Sequence, residues 1–371
     1  MKGLAAGVAG APPVQFGLIN VLKACAAQLI VLHHLAFYGP MADRAAALFP
    51  ELMDWLASDA RIAVQLFLVI GGFLAAKSLA PAGHGGLADP LGALWQRYLK
   101  LAPPFLVATL LAAAASALAA QWMTHDSISA PATVGQLAAH ALLLHGVLGY
   151  PALSAGAWYV AIDFQLYALA VLMVWGAGRA RGLLLPFVVT AGVVLSLLYF
   201  NLEGDWDNWA PYFFGSYGLG MLAWWGSDAR RAPRAAALLV ALMVLPAVLG
   251  LAVEFRSRIA LALVTACILL LWGRVRTDAS SAAWSAVNAL ARSSYSLFLV
   301  HFPVCLVVNA AFTRFASPEP EWQAFGVLLA WAASMAGGAV FYRWVEAPLG
   351  ASDLMKSRKA RSGGGTSLRP G

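Results

Sequence analysis

The chain contains ten apolar runs of roughly twenty residues, each bounded by polar or charged residues. A helix of about 20 apolar residues is long enough to cross the hydrocarbon core of a bilayer. Hydrophobic residues make up 61% of the 371 residues and charged residues only 11%, which excludes a soluble globular protein. The sequence therefore predicts an all-α fold, a polytopic membrane helix bundle. The predicted spans are residues 17–38, 60–79, 101–121, 158–176, 183–200, 211–226, 235–252, 258–273, 294–314 and 323–345.

One further apolar segment, from Leu137 to Leu148, is too short to cross the membrane. It carries His140 and His145. We interpret it as a re-entrant or surface helix on the outer side, because a crossing here would move every later loop to the opposite side and contradict the distribution of charge.

Basic residues are distributed unevenly among the loops. With the N-terminus in the cytoplasm, most Lys and Arg residues fall on the inner side, and acids dominate the outer loops after spans five and nine. This positive-inside pattern predicts that both termini are cytoplasmic. The net charge of +7 then reflects topology and indicates no nucleic acid partner. The inner bases are Lys77, Arg97, Lys100, Arg179, Arg181, Arg230, Arg231, Arg234, Arg274, Arg276, Arg292, Lys356, Arg358, Lys359, Arg361 and Arg369, and the outer bases are Arg44, Arg61, Arg256, Arg258 and Arg314.

The chain divides into three parts. Residues 1–16 form a cytoplasmic N-terminal segment, residues 17–350 the transmembrane domain, and residues 351–371 a basic cytoplasmic tail. The tail ends in a run rich in Gly, Ser and Pro, which predicts disorder. The three cysteines, Cys25, Cys267 and Cys305, fall within predicted spans without a metal-ligand spacing, so we expect no metal site.

Two ionisable residues interrupt the first apolar run. Lys23 and His34 are separated by ten residues, and eleven steps of about 100° bring both side chains to one helix face, about 16 Å apart. Burying either group in hydrocarbon costs on the order of 2.5 kcal/mol or more unless it meets a partner or water, so the pair indicates a functional site. The alternative is structural: Lys23 could extend to the headgroups, and His34 could be a hydrogen-bonded core residue.

Six short blocks, in order along the chain, resemble the acyltransferase-3 family of integral membrane O-acyltransferases. The first resembles the family's opening segment, in which a basic residue and a histidine are separated by ten positions. The others resemble a Phe-rich span ending in Ser/Gly-Gly-Phe-Leu, an Arg-x-x-Arg block, a Trp-x-Leu-x-x-Glu-x-Gln-x-Tyr block, a Ser-Tyr-Ser-Leu-x-Leu-His segment and a closing Glu-x-Pro. In this chain they read VLKACAAQLIVLHHL, QLFLVIGGFLAAKSL, WQRYLKLAPPFL, AWYVAIDFQLYAL, SYSLFLVHFPV and YRWVEAPL.

The resemblance covers nearly the whole chain and implies both a fold and an activity. The implied fold is a ten-span bundle in the bacterial inner membrane, in contact with membrane lipids. The implied activity is transfer of an acyl group, usually acetyl, from cytoplasmic coenzyme A to a hydroxyl of an envelope carbohydrate or lipid-linked glycan. Acyl-CoA, usually acetyl-CoA, is then a co-substrate.

Three positions depart from the family pattern, and each keeps the sign of the charge. Lys23 stands where Arg is commoner, Lys100 replaces the second Arg of the Arg-x-x-Arg block, and Asp163 occupies the place of the usual Glu. Because Lys lacks the planar fork of Arg, we expect looser phosphate recognition here.

A carbohydrate hydroxyl needs a base to become a good nucleophile at neutral pH, and a positioned base contributes roughly 10² to 10⁴ in rate. His34 is the candidate, on the motif spacing, because a neutral imidazole is available at pH 7. A carboxylate on the other ring nitrogen would fix the tautomer, and Asp163 is the best-placed carboxylate. Asp163 could instead pair with a structural base such as Lys23.

Coenzyme A carries several phosphates, so its site should contain cations at the cytoplasmic edge. Arg97 and Lys100, at i and i+3 before a Pro-Pro pair, would present two charges on one helix face. The alternative is ordinary flanking of a span by basic residues. Lys23 could bind the donor near its phosphates or stabilise charge at the thioester oxygen, and the sequence leaves that choice open.

Other residues of the spans have simpler interpretations. His301 is a polar lining residue whose role the sequence does not define. Arg343 and Glu346 are predicted to lock the end of the last span, and Gly71 and Gly72 to permit close helix packing.

Intramembrane charges also suit a transporter or flippase for a sugar or lipid intermediate, which is the alternative function. The sequence has no convincing inverted repeat and no paired broken helices, which would favour that class. A catalytically silent partner in glycan assembly would lack the histidine or the basic residues, and this chain has both.

Overall fold

The computed structural model describes residues 16–179, 182–275 and 281–350, and these are helical with no strand. The predicted N-terminal segment, except residue 16, and the predicted tail lie outside the described residues. The helices are α1 (Gly17–Phe37), α2 (Pro40–Ala45), α3 (Pro50–Ser58), α4 (Val64–Leu79), α5 (Pro90–Ala119), α6 (Val134–Ala141), α7 (Ala157–Gly176), α8 (Leu184–Leu198), α9 (Ala210–Gly226), α10 (Pro233–Val253), α11 (Ser257–Trp272), α12 (Ala282–Arg292), α13 (Ser294–Phe315) and α14 (Pro320–Phe341).

Eight helical segments of the described chain are long and apolar enough to cross a membrane, which confirms a multi-pass helical membrane protein. Helices α9 and α11, with 17 and 16 residues, coincide with two further predicted spans but are shorter. The count of ten spans and the cytoplasmic placement of both termini therefore stay predictions. The eight segments are Gly17–Phe37, Ala60–Leu79, Pro90–Ala119, Ala157–Gly176, Leu184–Leu202, Pro233–Val253, Ser294–Phe315 and Pro320–Gly350.

Helix α9 is buried along most of its length and packs closely against α4. A Cβ atom at Gly72 would overlap the carbonyl oxygen of Tyr217, and one at Gly220 would overlap that of Val69. Small residues of this kind let helix backbones approach closely in a membrane. The predicted packing role of the Gly71–Gly72 pair is confirmed, and the same packing holds the ring of Tyr217 beside Gly71.

The short apolar segment after α5 forms the eight-residue helix α6 and an irregular turn, and it is not among the segments long and apolar enough to cross a membrane. Its re-entrant or surface position on the outer side stays a prediction. Thr133 and Gln136 cap the start of α6 reciprocally: each side chain accepts a hydrogen bond from the backbone N–H of the other. The chain then reverses at Leu143, which is fully buried with φ of 58°. This left-handed conformation is uncommon for a residue with a side chain, and it turns the following residues back against α5.

Hydropathy does not predict three of the helices, α2, α3 and α12, because each is short. Helix α12 packs against the start of α1, where Asn20 Nδ2 donates to Asn288 Oδ1 at 2.8 Å. Helix α3 packs near the end of α1, where the Leu56 carbonyl oxygen lies 2.9 Å from His33 Nδ1. These contacts fix α1 near both of its ends.

Helix α14 continues beyond Phe341 as a π-helix over Tyr342–Glu346. A π-helical turn contains an extra residue relative to α-helical geometry, and such turns are frequent at functional sites. Here the turn ends at Glu346.

Candidate active site

His34 has a histidine partner. Its Nδ1 lies 2.7 Å from Nε2 of His301 on α13, and the two side chains form what we call the histidine pair. Both residues are buried, with 8% of His34 and 1% of His301 exposed. His301 had no defined role in the sequence prediction. The signal that could have identified it is its position as the histidine that ends the Ser-Tyr-Ser-Leu-x-Leu-His block.

The hydrogen-bond partners assign the tautomers of the histidine pair. Nδ1 of His301 lies 3.2 Å from the carbonyl oxygen of Leu297, which can only accept, so this nitrogen carries the proton. Nε2 of His301 is then an acceptor, and Nδ1 of His34 donates to it. In the neutral ring, Nε2 of His34 then has a free lone pair, and it has no hydrogen-bond partner among the described residues.

His33 points elsewhere, as the offset of about 100° between adjacent helix positions predicts. Its Nδ1 bonds the carbonyl of Leu56 on α3. His33 therefore anchors α3 to α1, while His34 faces α13.

Asp163 does not orient His34. Its carboxylate accepts a hydrogen bond from Arg97 Nη2 at 2.5 Å, with side-chain exposures of 23% for Arg97 and 10% for Asp163. The expected contact with His34 was wrong, and Lys23 is not the ion-pair partner either. A guanidinium charge attracts a carboxylate more strongly than a neutral imidazole does, above all where the dielectric is low. A functional role for Asp163 stays a prediction, with Arg97 as its partner.

Five charged side chains gather at one end of the bundle, and we call them the charged cluster. Lys23 interacts electrostatically with Lys100, Glu346 and Arg97, and Lys100 also with Asp163. Lys100 is exposed and Lys23 half-buried. Arg97, by contrast, already shares its charge with a carboxylate. The cations that remain available to an anionic ligand are therefore the two lysines.

Glu346 belongs to this cluster and does not form the predicted lock with Arg343. Its carboxylate accepts a hydrogen bond from Ser296 Oγ at 2.5 Å, while Arg343 is exposed and lies over the ring of Trp344. The π-helical turn carries Glu346 to α13, and this explains why a lock read from sequence separation was wrong.

Two buried polar atoms beside the ion pair lack partners among the described residues, Nε of Arg97 and the hydroxyl of Tyr217. The Tyr217 ring and Asp163 Oδ1 both lie beside Gly71. A buried polar group left unpaired costs about 1 to 3 kcal/mol, so these atoms could bind a water molecule or an oxygen of a ligand.

Aromatic rings connect the charged cluster with the histidine pair. Tyr159, one turn before Asp163 on α7, contacts the ring of Phe298 with centroids 5.3 Å apart, and Phe298 lies 6.0 Å from His301. Lys23 and His34 are eleven residues apart on α1, about 16 Å along its axis. The charged cluster and the histidine pair are therefore separate, and the rings of Tyr159 and Phe298 lie between them.

A second pair of histidines is formed by His140, near the end of α6, and His145, in the turn that follows. The rings of His140 and His145 stack with centroids 4.2 Å apart, and both face Phe105 of α5. His140 is satisfied by the Gln136 carbonyl and by the N–H of Leu153, whereas both ring nitrogens of His145 lack partners among the described residues. Burial and the nearby His140 lower the pKa of His145 to about 4.

In the described part of the chain, no group of three or more His, Cys, Asp or Glu side chains could hold a metal ion. No contact among the described residues tests the predicted donor-binding roles of Lys23, Arg97 and Lys100. These roles stay predictions.

Comparison with known protein families gives one match. The family model described as an acyltransferase domain matches residues 17–342, from the first residue of α1 into the π-helical turn. No curated protein and no solved structure matches the chain.

Proposed function

The chain belongs to the acyltransferase-3 family, and on that premise we propose that it is a membrane O-acyltransferase. It transfers an acyl group, usually acetyl, from cytoplasmic acyl-CoA to a hydroxyl of an envelope carbohydrate or lipid-linked glycan. We place it in the bacterial inner membrane, where the donor is available on one face and the envelope acceptor on the other.

The unpaired Nε2 of His34 carries this proposal. A general base must be neutral, within reach of a hydroxyl proton, and held in one tautomer. The hydrogen bond from Nδ1–H to His301 holds a neutral His34 in one tautomer, which meets the third condition. In the proposed reaction the ring is neutral at pH 7 and the acceptor hydroxyl binds within reach of Nε2. The hydrogen bond of Nδ1 to His301 leaves Nε2 as the ring nitrogen open to a substrate hydroxyl.

The two lysines of the charged cluster support the donor part of the proposal. Lys23 and Lys100 carry charges that no carboxylate in the described chain neutralises through a direct ion pair, and Lys100 is exposed. Phosphate groups of coenzyme A would lie against them. Lys23 is too far from His34 to stabilise the thioester oxygen at the same time, so we assign it to phosphate binding. The ion pair of Arg97 and Asp163 lies in the same charged cluster, beside these two lysines.

The reaction follows from this placement. His34 Nε2 accepts the hydroxyl proton while the hydroxyl oxygen forms a bond to the thioester carbon. The carbon–sulfur bond then breaks, the ester is released, and the proton on His34 passes to the leaving thiolate to give free coenzyme A. This step regenerates the neutral base, and it balances in atoms and in charge.

The function is tested by comparing envelope glycans from cells with and without the gene by mass spectrometry. Membranes containing the purified protein are assayed in parallel for label transferred from acetyl-CoA to the glycan fraction. We expect an acetyl increment and label transfer with the native chain and with His33→Gln, but with His34→Ala neither. His33 is the matched control because it is adjacent on α1 and bonded to α3.

Unchanged glycans and no transfer of label from acetyl-CoA by the native chain would contradict the proposal. Movement of an unmodified sugar lipid across the same membranes would then favour the transporter.

A further inference from the structure

We infer that His301 is the positioning residue for His34, so that the base of this enzyme is an imidazole dyad in which an uncharged ring takes the place of a carboxylate. The inference rests on the proposed function for its activity tests, but its central geometric claim, the tautomer of His34, is independent of any reaction.

The geometry of the histidine pair is that of an in-plane hydrogen bond. The ring planes differ by 16°, the centroids are 4.8 Å apart, and Nδ1 of His34 lies 2.7 Å from Nε2 of His301. Face-to-face stacking of coplanar rings would keep these atoms at van der Waals separation, whereas an N–H···N bond brings them to about 2.7 to 3.2 Å. The contact is therefore directional.

Contacts on both sides of the pair fix this geometry. The Leu297 carbonyl sets the proton position on His301, as described above. Two turns further along α13, the side chain of Asn309 accepts from the N–H of Met41 and donates to the carbonyl of Tyr38. The end of α1 is thereby clamped to α13, with the Gly39 turn between these two contacts held at φ of 107°.

A carboxylate is unavailable to play this role. The carboxylate predicted for it is bonded to Arg97, and Glu346 is bonded to Ser296. In addition, a charged group beside the fully buried His301 would require a partner of its own, since an isolated buried charge is very unfavourable. A neutral imidazole offers an acceptor nitrogen without that requirement.

The dyad gives His301 two tasks. Before the reaction it holds the proton of His34 on Nδ1, which leaves Nε2 free to act as the base. When Nε2 accepts the hydroxyl proton, the positive charge forms next to a second ring whose Nε2 lone pair faces the Nδ1–H. Without His301, nothing holds the proton on Nδ1, and the inactive tautomer with the proton on Nε2 becomes accessible.

The experiment compares two substitutions at this position. In His301→Gln the side-chain oxygen can still accept the His34 proton, whereas in His301→Leu it cannot. We expect His301→Leu to lower kcat by on the order of 10², a typical effect of removing an orienting partner, with KM for acetyl-CoA unchanged. His301→Gln should restore most of kcat. Leu306→Val, at an equally buried position of the same helix, is the matched control for packing and should keep native kcat.

An equal loss of kcat in both His301 variants, or native kcat in His301→Leu, would overturn the inference. Thermal unfolding of each variant in detergent checks that the comparison concerns folded protein. If His301→Leu does not fold, the Gln variant and the spectroscopic measurement decide.

The tautomer is measured separately, by solid-state nitrogen NMR of histidine-labelled protein in lipid, with His34→Gln used to assign the signal. We expect Nδ1 of His34 to be protonated and Nε2 to be unprotonated. The opposite tautomer would overturn the inference even in an active enzyme. The expected tautomer in a protein that transfers no acyl group would instead contradict the proposed function and leave the dyad geometry intact.

Discussion

The charged cluster and the histidine pair each take one residue from α1, Lys23 and His34, and their polar groups are stabilised in opposite ways. In the charged cluster, ionised groups either pair directly, as Arg97 and Asp163 do, or remain partly exposed, as Lys100 does. The histidine pair is buried, and three of its four ring nitrogens are paired in a chain that ends at a backbone carbonyl, which leaves Nε2 of His34 unpaired. Full charges persist where a counter-ion or water is close, and the more deeply buried position holds groups that can be neutral.

Substitutions at the two ends of α1 provide the largest contrast. His34→Ala should reduce kcat by about 10² to 10⁴ with little change in KM for acetyl-CoA, because only the base is lost. Lys23→Ala should raise KM and leave kcat nearly unchanged, because a phosphate contact is lost. Steady-state kinetics of label transfer measure both parameters. A matching effect of the two substitutions on kcat would mean that the cluster and the pair are one site.

The ion pair of the charged cluster should matter to stability. Arg97→Met alone and Asp163→Leu alone each leave a largely buried, unpaired charge and should lower the free energy of unfolding by about 3 kcal/mol. The double variant should recover much of that loss, because it removes both charges. Thermal unfolding in detergent measures the three variants. Additive losses would show that the two side chains act independently.

The exposed cation should affect only donor affinity. Lys100→Ala removes one charge-assisted hydrogen bond to phosphate, worth about 1.5 to 3 kcal/mol, and should weaken acetyl-CoA binding by roughly tenfold or more. Lys77→Ala is the matched control, since Lys77 is also an exposed lysine near a helix end but stacks over Phe16. Calorimetric titration with acetyl-CoA distinguishes the two. Equal weakening would reduce the role of Lys100 to general surface charge.

The second pair of histidines tests whether burial of imidazole by itself implies function. At pH 7, His145→Phe should raise the free energy of unfolding by about 1 to 3 kcal/mol, because it removes two unpaired nitrogens. His140→Phe should lower it, because two hydrogen bonds are lost. Loss of acyl transfer in a stabilised His145→Phe variant would show that His145 binds a substrate.

The depressed pKa of His145 adds a pH dependence. In the unfolded chain the ring takes up a proton near pH 6.5, but in the folded chain only near pH 4. The unfolded state therefore binds more protons between these values, and stability falls as the pH is lowered through that window. Unfolding temperatures measured from pH 7 to pH 4 should fall less steeply in His145→Phe than in the native chain.

Much of the fold could be predicted, because hydropathy reports directly on the solvent around each helix. Even the Gly-rich α9 coincides with a predicted span. Hydropathy could not predict α2, α3 or α12, because short helices at the ends of a bundle leave no long apolar run. The count of ten spans stays a prediction for a related reason, since α9 and α11 are short and α9 is surrounded by protein.

For the site, the sequence could predict only the relative positions of residues on one helix. The distance between Lys23 and His34 follows from helix geometry, and so does the orientation of His33 away from the site. The contact between His34 and His301 joins residues 267 positions apart, and it depends on how α1 packs against α13. The partners of Asp163 and Glu346 escaped prediction for the same reason, because each is decided by which opposite charge or hydroxyl packing brings closest.

Because of the π-helical turn after α14, the direction of the Glu346 carboxylate depends on the number of residues in the turn as well as on their identity. Removing one residue between Phe341 and Glu346 would let the segment relax to an ordinary α-helix and rotate everything beyond it by about 100°. The carboxylate would then leave Ser296 and the lysines although every chemical group was still present. This short segment therefore works as a spacer that cannot change its length, and insertions or deletions that most helix ends accept would uncouple the last helix from the cations it helps to arrange.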